Sequence, residues 1–232
     1  MGRTRAEVRV FLCPLRARCY RACVRRGHWL LLLAVLLLGG AWLWLRPGRG
    51  VNFKDLPATA RGEWIAFGDS LTQGHGADEG GDYPSQLAKR LRVKIHNLGV
   101  SGNTTADGLA RLDQAVQLQP RVVLLCLGGN DALRGVSPDQ TFANLGTMID
   151  RFHQAGSFVA VLGVRSTGLS DKNAKRFERL AKSKRVLLVP NVLDGILFTP
   201  SLMSDEVHPN DKGYAKIAER VESALLPIIP NL

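Results

Sequence analysis

Short apolar runs alternate with stretches of helical periodicity over the last three quarters of the chain. The short runs occupy residues 63–67, 93–98, 121–127, 157–164 and 185–190. The run at 121–127 is nearly all apolar, as expected for a central strand of a parallel sheet covered on both faces. Apolar residues recur at helical spacing in residues 83–91, 105–118, 137–152, 171–184 and 210–229. This alternation predicts an α/β fold, a three-layer α/β/α sandwich around a five-stranded parallel sheet.

A different pattern occupies residues 29–45, where seventeen uncharged residues follow one another (WLLLLAVLLLGGAWLWL). As a helix this run would measure about 26 Å, close to the ~30 Å hydrocarbon core of a bilayer. The run predicts one N-terminal transmembrane helix, with tryptophans and flanking arginines at the interfaces. Eight arginines precede it and only Arg46 and Arg49 follow it closely. The positive-inside rule therefore places the N-terminus in the cytoplasm and the domain that follows the run in the periplasm, with the anchor in the inner membrane.

A cleaved signal peptide is the alternative interpretation of the same run, and the protein would then be secreted. Gly39-Gly40-Ala41 offers the small residues of a cleavage site. The run is longer than the ~7–15-residue apolar core of a signal peptide, which favours the retained anchor. The predicted organisation is a basic cytoplasmic arm at 1–28, the anchor at 29–45, a linker rich in Pro, Gly and charge at 46–62, and a folded domain at 63–232.

The positive charge is confined to the arm. The formal net charge is +11, but residues 1–50 hold ten arginines and one glutamate, so the rest of the chain carries only +2. A nearly neutral domain does not offer a basic groove, and we expect no nucleic-acid partner.

The four cysteines indicate no particular function for this protein. Cys13, Cys19 and Cys23 lie in the arm at a spacing that is not typical of zinc sites, and palmitoylation or metal binding there stays open. Cys126 stands inside an apolar strand, where it is expected to be a small buried hydrophobe rather than a reactive thiol.

Polar and glycine-rich turns follow the first three predicted strands. They are Gly68-Asp69-Ser70, Ser101-Gly102-Asn103 and Gly128-Gly129-Asn130-Asp131. The carboxyl ends of parallel strands share one edge of the sheet, so these turns are expected to meet there. Phosphate binding is an alternative for the first turn, but neither the dinucleotide nor the P-loop spacing is present.

Ser70 is the candidate nucleophile of this edge. A serine needs a histidine base that is oriented by a carboxylate, and Asp205 stands three residues before His208 near the C-terminus. Taken alone, Gly-Asp-Ser is ordinary turn chemistry and Asp-x-x-His is typical of a helix start. The coincidence of both favours a triad of Ser70, His208 and Asp205.

Three groups could stabilise an oxyanion at this edge, namely the backbone N–H of Ser70, the backbone N–H of Gly102 and the side-chain amide of Asn130. Turn and cap roles remain the alternative for each residue taken separately. His75 has no acid at a suitable spacing, so we assign it to a loop, and we predict neither a metal nor a cofactor.

The four blocks, taken in order, resemble the SGNH or GDSL hydrolase family over roughly residues 63–228. They are Gly68-Asp69-Ser70-Leu71, Ser101-Gly102-Asn103, Gly128-Gly129-Asn130-Asp131 and Asp205-x-x-His208-Pro209. The resemblance implies a flavodoxin-like sheet, Ser70, Asp205 and His208 as the catalytic residues, and Ser70, Gly102 and Asn130 as the oxyanion hole. Within the family, the chain looks most similar to the bacterial thioesterase I, lysophospholipase L1 and arylesterase group.

The expected function is that of a membrane-anchored serine ester hydrolase. Its substrates would be acyl esters or thioesters of a lipid-like or other small molecule. A carbohydrate or cell-envelope O-acetylesterase is the alternative, since the same triad serves deacetylation. A catalytically idle envelope module that binds lipid or glycan is a third possibility, which the presence of every triad and oxyanion residue disfavours.

Overall fold

The computed structural model describes residues 52–164 and 173–232. The predicted transmembrane segment at 29–45 and the three cysteines of the arm therefore lie outside the described residues, as do residues 165–172. Within the described part, no helix combines the length and the apolar composition needed to cross a bilayer.

Five parallel strands form the centre of the fold, as the alternating pattern predicted. They are β1 (Trp64–Gly68), β2 (Ile95–Gly99), β3 (Val122–Cys126), β4 (Phe158–Leu162) and β5 (Leu187–Val189). Their order in the sheet is β2-β1-β3-β4-β5, and every neighbouring pair is parallel. This is the flavodoxin-like order that the resemblance implied.

Eight α-helices accompany the strands within the described residues. They are α1 (Ser70–Gln73), α2 (Tyr83–Leu91), α3 (Thr105–Ala110), α4 (Leu112–Gln117), α5 (Gly129–Leu133), α6 (Pro138–Gln154), α7 (Ala174–Lys184) and α8 (Asp211–Leu225). Two 3₁₀ turns, Pro200–Leu202 and Ile229–Asn231, lie on either side of α8 in the chain. The long amphipathic helices match the predicted ones within a few residues at each end.

Two local differences from the predicted elements lie beside the predicted site. The single helix predicted over 105–118 is wrong, because the chain breaks at Arg111, which has φ −112° and ψ 7° between α3 and α4. The turns after β1 and β3 also each contain a short helix, α1 and α5, where only a turn was expected. The break redirects the Arg111 side chain toward the ends of β1 and β2.

The alternation of side chains along β1 divides the core into two halves. Trp64 and Ala66 belong to the cluster on one face of the sheet, together with Tyr214 of α8. Ile65 and Phe67 belong to the cluster on the other face, where Phe67 meets Phe152 of α6 edge to face at 5.9 Å. Successive residues of a strand point to opposite faces, so one strand serves both layers.

The compact unit begins earlier than the predicted boundary at Glu63. It extends from Asn52, and part of the predicted linker packs on the sheet. Phe53 meets Phe158 edge to face at 5.8 Å, and the N–H groups of Thr59 and Ala60 both donate to the carbonyl of Gly156. The segment from residue 52 to 62 is therefore part of the folded unit.

The sheet order also decides where a site can form. β1 lies between β2 and β3, so the connections that leave β1 and β3 run to opposite sides of the sheet. Such a switch point opens a crevice at the carboxyl ends of these two strands. The turns that carry Ser70 and Asn130 begin at this crevice.

Candidate active site

Ser70 is held at the start of α1 by its neighbours in the turn. The side chain of Asp69 caps the helix by accepting a hydrogen bond from the N–H of Leu71 at 3.0 Å. Gly68 is needed because a Cβ there would lie 2.0 Å from Thr72 Oγ1 and 2.5 Å from the carbonyl oxygen of Cys126. Ser70 is the first helical residue, and its own N–H has no partner within the helix.

His208 lies between Ser70 and Asp205, as predicted. Its Nε2 is 3.1 Å from Ser70 Oγ, and its Nδ1 is 2.8 Å from Asp205 Oδ2. The other carboxylate oxygen, Oδ1, accepts hydrogen bonds from the N–H groups of Val207 and His208, both at 2.7 Å. The carboxylate is thus oriented by its own loop, and the structure brings the three predicted residues into one hydrogen-bonded chain.

The two acidic residues of the site differ strongly in their electrostatics. The Val207 N–H, the His208 ring and the His208 N–H lower the pKa of Asp205 to about 2. Burial raises the pKa of Asp69 to about 6, although the Leu71 N–H opposes this shift. Asp205 is therefore ionised throughout the neutral range, as an acid that supports an imidazolium must be.

Asn130 and Gly102 lie in two loops that are tied to each other. Asn130 Nδ2 donates to the carbonyl of Asn103 at 3.0 Å, which leaves its second amide hydrogen for another acceptor. Gly102 has φ +79°, and its carbonyl accepts a hydrogen bond from Arg134 at 2.9 Å. In the part of the chain that the structure describes, the N–H of Gly102 donates to no acceptor.

A cavity of about 390 Å³ opens beside the serine. Ser70, His208 and Asn130 line it, whereas Gly102 and Asp205 lie outside its lining. Most of the remaining wall is apolar, and Phe198, Leu133 and Val207 are 85%, 62% and 42% exposed. The other apolar wall residues are Leu71, Ala132, Val164, Leu193 and Leu197.

Arg111 is a residue of the site that the sequence analysis did not predict. Its guanidinium donates to the carbonyl of Gly68 at 2.8 Å, to the carbonyl of Leu98 at 2.9 Å and to Asn103 Oδ1 at 2.7 Å. It also lies 4.0 Å from the centroid of the Phe67 ring. Arg111 thereby joins the turn of Ser70 to the loop of Gly102, although in the sequence it is only one charged residue in a predicted helix.

Asp131 is the second residue that the sequence analysis left without a role of its own. It is 1% exposed, and its carboxylate accepts hydrogen bonds from the N–H of Thr105 at 2.8 Å and from its hydroxyl at 2.5 Å. The hydroxyl of Thr141 donates to the same carboxylate at 3.2 Å. Asp131 therefore fixes α5, which carries Asn130, against α3 and α6.

His75 lies in the loop that follows α1, as predicted, but it also contacts the site. The centroid of its ring is 4.4 Å from that of the His208 ring. Its backbone is fixed, since its N–H donates to the carbonyl of Ser70 at 3.0 Å and its carbonyl accepts from the Tyr214 hydroxyl at 2.8 Å. Spacing along the chain gave no indication of this contact.

Cys126 agrees with its sequence-based interpretation. It is fully buried in β3, and burial raises the pKa of its thiol well above the ordinary value. A thiol that stays protonated and inaccessible is not a nucleophile. No chemistry is assigned to it.

Comparisons with known proteins agree with this geometry. The sequence matches the GDSL-like lipase/acylhydrolase family over residues 66–216. It is 33% identical to an arylesterase of Vibrio mimicus over 174 residues, which cover 70% of this chain and 87% of that protein. It is 30% identical to thioesterase 1/protease 1/lysophospholipase L1 of Escherichia coli strain K12 over 195 residues, which cover 80% of this chain and 94% of that protein. The crystal structure of TesA superimposes with a TM-score of 0.67 at 29% identity, covering 71% of this chain and 98% of TesA.

Proposed function

We propose that this chain, which belongs to the GDSL-like lipase/acylhydrolase family, cleaves acyl ester or thioester bonds of lipid-like substrates through Ser70. As a member of that family, it is a carboxylic ester hydrolase. The observation that carries the proposal is the hydrogen-bonded chain from Asp205 through His208 to Ser70, at the mouth of a largely apolar cavity. This arrangement provides a nucleophile, its base and the group that orients the base.

In the first half of the reaction, Ser70 Oγ attacks the acyl carbon of the substrate while its proton passes to His208 Nε2. The Nδ1–H of His208 donates to Asp205, which is ionised and stabilises the imidazolium. The substrate carbonyl oxygen gains negative charge and accepts hydrogen bonds from the N–H of Ser70, the N–H of Gly102 and the amide of Asn130. The imidazolium then protonates the leaving alcohol or thiol, and an acyl-enzyme remains on Ser70.

In the second half, water takes the place of the leaving group. His208 accepts a proton from the water as it attacks the acyl carbon, and the same three donors stabilise the second oxyanion. Collapse of this intermediate releases the carboxylic acid and restores the serine hydroxyl. The same residues act in both halves, so removal of any one of them slows both.

The cavity supports an acyl chain of several carbons as the substrate group. Leu71, Leu193 and Leu197 contribute apolar wall beside Ser70, and Phe198 and Leu133 stand exposed at the lining. Each methylene that enters such a wall contributes up to ~0.8 kcal/mol until the cavity is full. The length of the acyl chain that the cavity accepts therefore distinguishes a lipid-like ester from a small acetyl ester.

A chromogenic ester series from acetyl to long acyl, hydrolysed by the purified full-length protein with Ser70→Ala as control, tests this proposal. We expect kcat/KM to rise from acetyl to medium-length chains and to vanish in the variant. Activity that is confined to the acetyl ester would instead indicate the carbohydrate or cell-envelope O-acetylesterase. No Ser70-dependent hydrolysis of any ester would contradict the proposal and favour the idle binding module.

We also propose that residues 29–45 anchor the protein in the inner membrane, with the catalytic domain in the periplasm. The apolar run and the eight arginines before it support this location. Immunoblotting of membrane and soluble fractions tests it. Full-length protein in the membrane fraction is the expected result, and a shortened soluble product would indicate a cleaved signal peptide and secretion.

A further inference from the structure

A cluster of three metal-ligating side chains surrounds the proposed base. His75, Asp205 and His208 each offer one ligand atom, and these atoms all lie within 4.8 Å of one another. We infer that the cluster binds a divalent transition-metal ion of the zinc class, and that the bound ion inhibits the hydrolase by occupying its base. The inhibitory part of the inference rests on the proposed role of His208.

The geometry of the cluster is close to what such an ion requires. Zinc is bound at about 2.0–2.1 Å in a tetrahedral arrangement, so neighbouring ligand atoms lie about 3.3 Å apart. The three atoms therefore need to approach one another by at most ~1.5 Å. The side chain of His75 is exposed and makes no hydrogen bond within the described residues, so it can make this movement by changing its rotamer. The same exposure gives the ion a path from solvent.

The chemistry of the cluster selects the type of ion. Two imidazoles and one carboxylate form a set that binds zinc in known catalytic sites, with the fourth position left to water. Imidazole ligands suit zinc and copper, whereas magnesium and calcium prefer oxygen ligands. The cluster is thus expected to bind Zn²⁺ and to leave Mg²⁺ unbound at the same concentration.

His75 is the member of the cluster that has no other task in the described structure. Its backbone is fixed by Ser70 and Tyr214, and the centroid of its ring lies 4.4 Å from that of the His208 ring. Among residues 52–164 and 173–232, its ring nitrogens make no hydrogen bond. His96, by contrast, lies on β2 and pairs with Glu63, so it offers a matched control.

Inhibition follows whichever nitrogen of His208 binds the ion. If Nε2 binds it, the lone pair that accepts the proton of Ser70 is occupied. If Nδ1 binds it, the neutral ring carries its hydrogen on Nε2, and this nitrogen cannot accept a proton. In that case the hydrogen bond with Asp205 is lost as well. A bound ion therefore removes general-base catalysis in both arrangements.

The test uses untagged full-length protein in which Cys13, Cys19 and Cys23 are changed to Ser, so that thiols of the arm do not bind the ion. Zinc binding is measured by calorimetry, and inhibition is measured with a chromogenic ester. His75→Phe keeps an aromatic ring against His208 but has no ligand nitrogen, and His96→Phe is the matched control. His75→Ala is a second variant that does not depend on how the Phe ring packs.

We expect one zinc ion per chain, reversible inhibition by Zn²⁺ that a chelator relieves, and no inhibition by Mg²⁺. The zinc concentration for half inhibition should rise at least about tenfold in His75→Phe and His75→Ala and stay unchanged in His96→Phe, because even outer-shell changes cost about 10–100-fold in metal affinity. An active enzyme whose zinc affinity does not depend on His75 would overturn the metal site alone. Protein that binds zinc through His75 but hydrolyses no ester would overturn the proposed function and keep the metal site.

Discussion

Arg111 Nη2 donates a hydrogen bond to the carbonyl oxygen of Gly68 at 2.8 Å. Gly68 ends β1 two residues before Ser70, and the same guanidinium also holds the end of β2 and the side chain of Asn103. A planar guanidinium presents several N–H groups in fixed directions, so it can set the distance between two loops. The turn of Ser70 and the loop of Gly102 are thus hydrogen-bonded to the same side chain.

Loss of these hydrogen bonds should affect stability and catalysis together. Arg111→Met removes three hydrogen bonds to partly buried acceptors, and we expect the free energy of unfolding to fall by about 2–4 kcal/mol. Chemical denaturation measures this change, and kcat should fall while KM changes little. The stability and kcat of Arg111→Lys should lie between those of the wild type and Arg111→Met, because an ammonium cannot reach three acceptors in one plane. Arg61→Met, at an exposed position, is the control, and an equal loss there would contradict the account.

Asn130→Ala tests the oxyanion hole. The proposed role of its amide is to donate a hydrogen bond to the charge that develops in the transition state, so kcat should fall by about 10²–10³ with little change in KM. Steady-state kinetics on one ester measure both constants. Because Asn130 also donates to the carbonyl of Asn103, circular dichroism must establish that the variant is folded. A rise in KM at constant kcat would instead assign Asn130 to ground-state binding.

Asp205→Asn should reverse the tautomer of His208, the proposed base. Oδ1 of the asparagine can still accept from the N–H groups of Val207 and His208, so the amide NH₂ faces His208 Nδ1. Nδ1 then accepts, and the ring hydrogen moves to Nε2, where it blocks proton transfer from Ser70. We expect kcat to fall by about 10⁴. Wild-type-like turnover at neutral pH would show that the carboxylate is not needed.

Asp205 should contribute no ionisation to the acid limb of the pH profile. Hydrogen bonds lower the pKa of Asp205 to about 2, so this carboxylate stays charged from pH 4 upwards. The acid limb of log kcat/KM should therefore have a slope of at most one. The measurement is a profile of kcat/KM from pH 4 to pH 9. The rates are corrected for the fraction of protein that is unfolded at each pH. A slope of two that persists in Asp69→Asn, which removes the other carboxyl that titrates in this range, would contradict this prediction.

Asp69→Asn should change how stability depends on pH. Burial raises the pKa of Asp69 to about 6 from 3.8, so the folded state keeps a proton that the unfolded state loses between these values. The free energy of unfolding of the wild type therefore falls as the pH rises through this window. Asparagine keeps an acceptor for the Leu71 N–H and does not titrate. The variant should gain up to about 3 kcal/mol relative to the wild type between pH 4 and pH 6, and a constant difference would contradict the raised pKa.

Much of this site could be predicted because its residues lie beside strong local signals. Ser70 and Asn130 follow the apolar runs of β1 and β3, and parallel strands bring such ends together. Asp205 and His208 are three residues apart, so one loop holds both. The presence of all four sequence blocks in order then indicated that Ser70 acts with His208 and Asp205, which no single block indicates.

Arg111 and His75 could not be predicted in the same way. The hydrogen bonds of Arg111 reach Gly68, 43 residues earlier in the chain, and they depend on a break within the predicted helix. The contact of His75 with His208 joins two loops that are distant in sequence. Both contacts are products of the assembled sheet, and local periodicity carries no information about them.

The most direct test of the account is the reaction of the folded full-length protein with a serine-directed phosphonate probe, followed by intact-mass measurement and peptide mapping. The account predicts one adduct per chain on Ser70, loss of ester hydrolysis in step with labelling, and no adduct in Ser70→Ala. Hydrolysis that persists in a fully labelled protein, or an adduct on a residue other than Ser70, would contradict it.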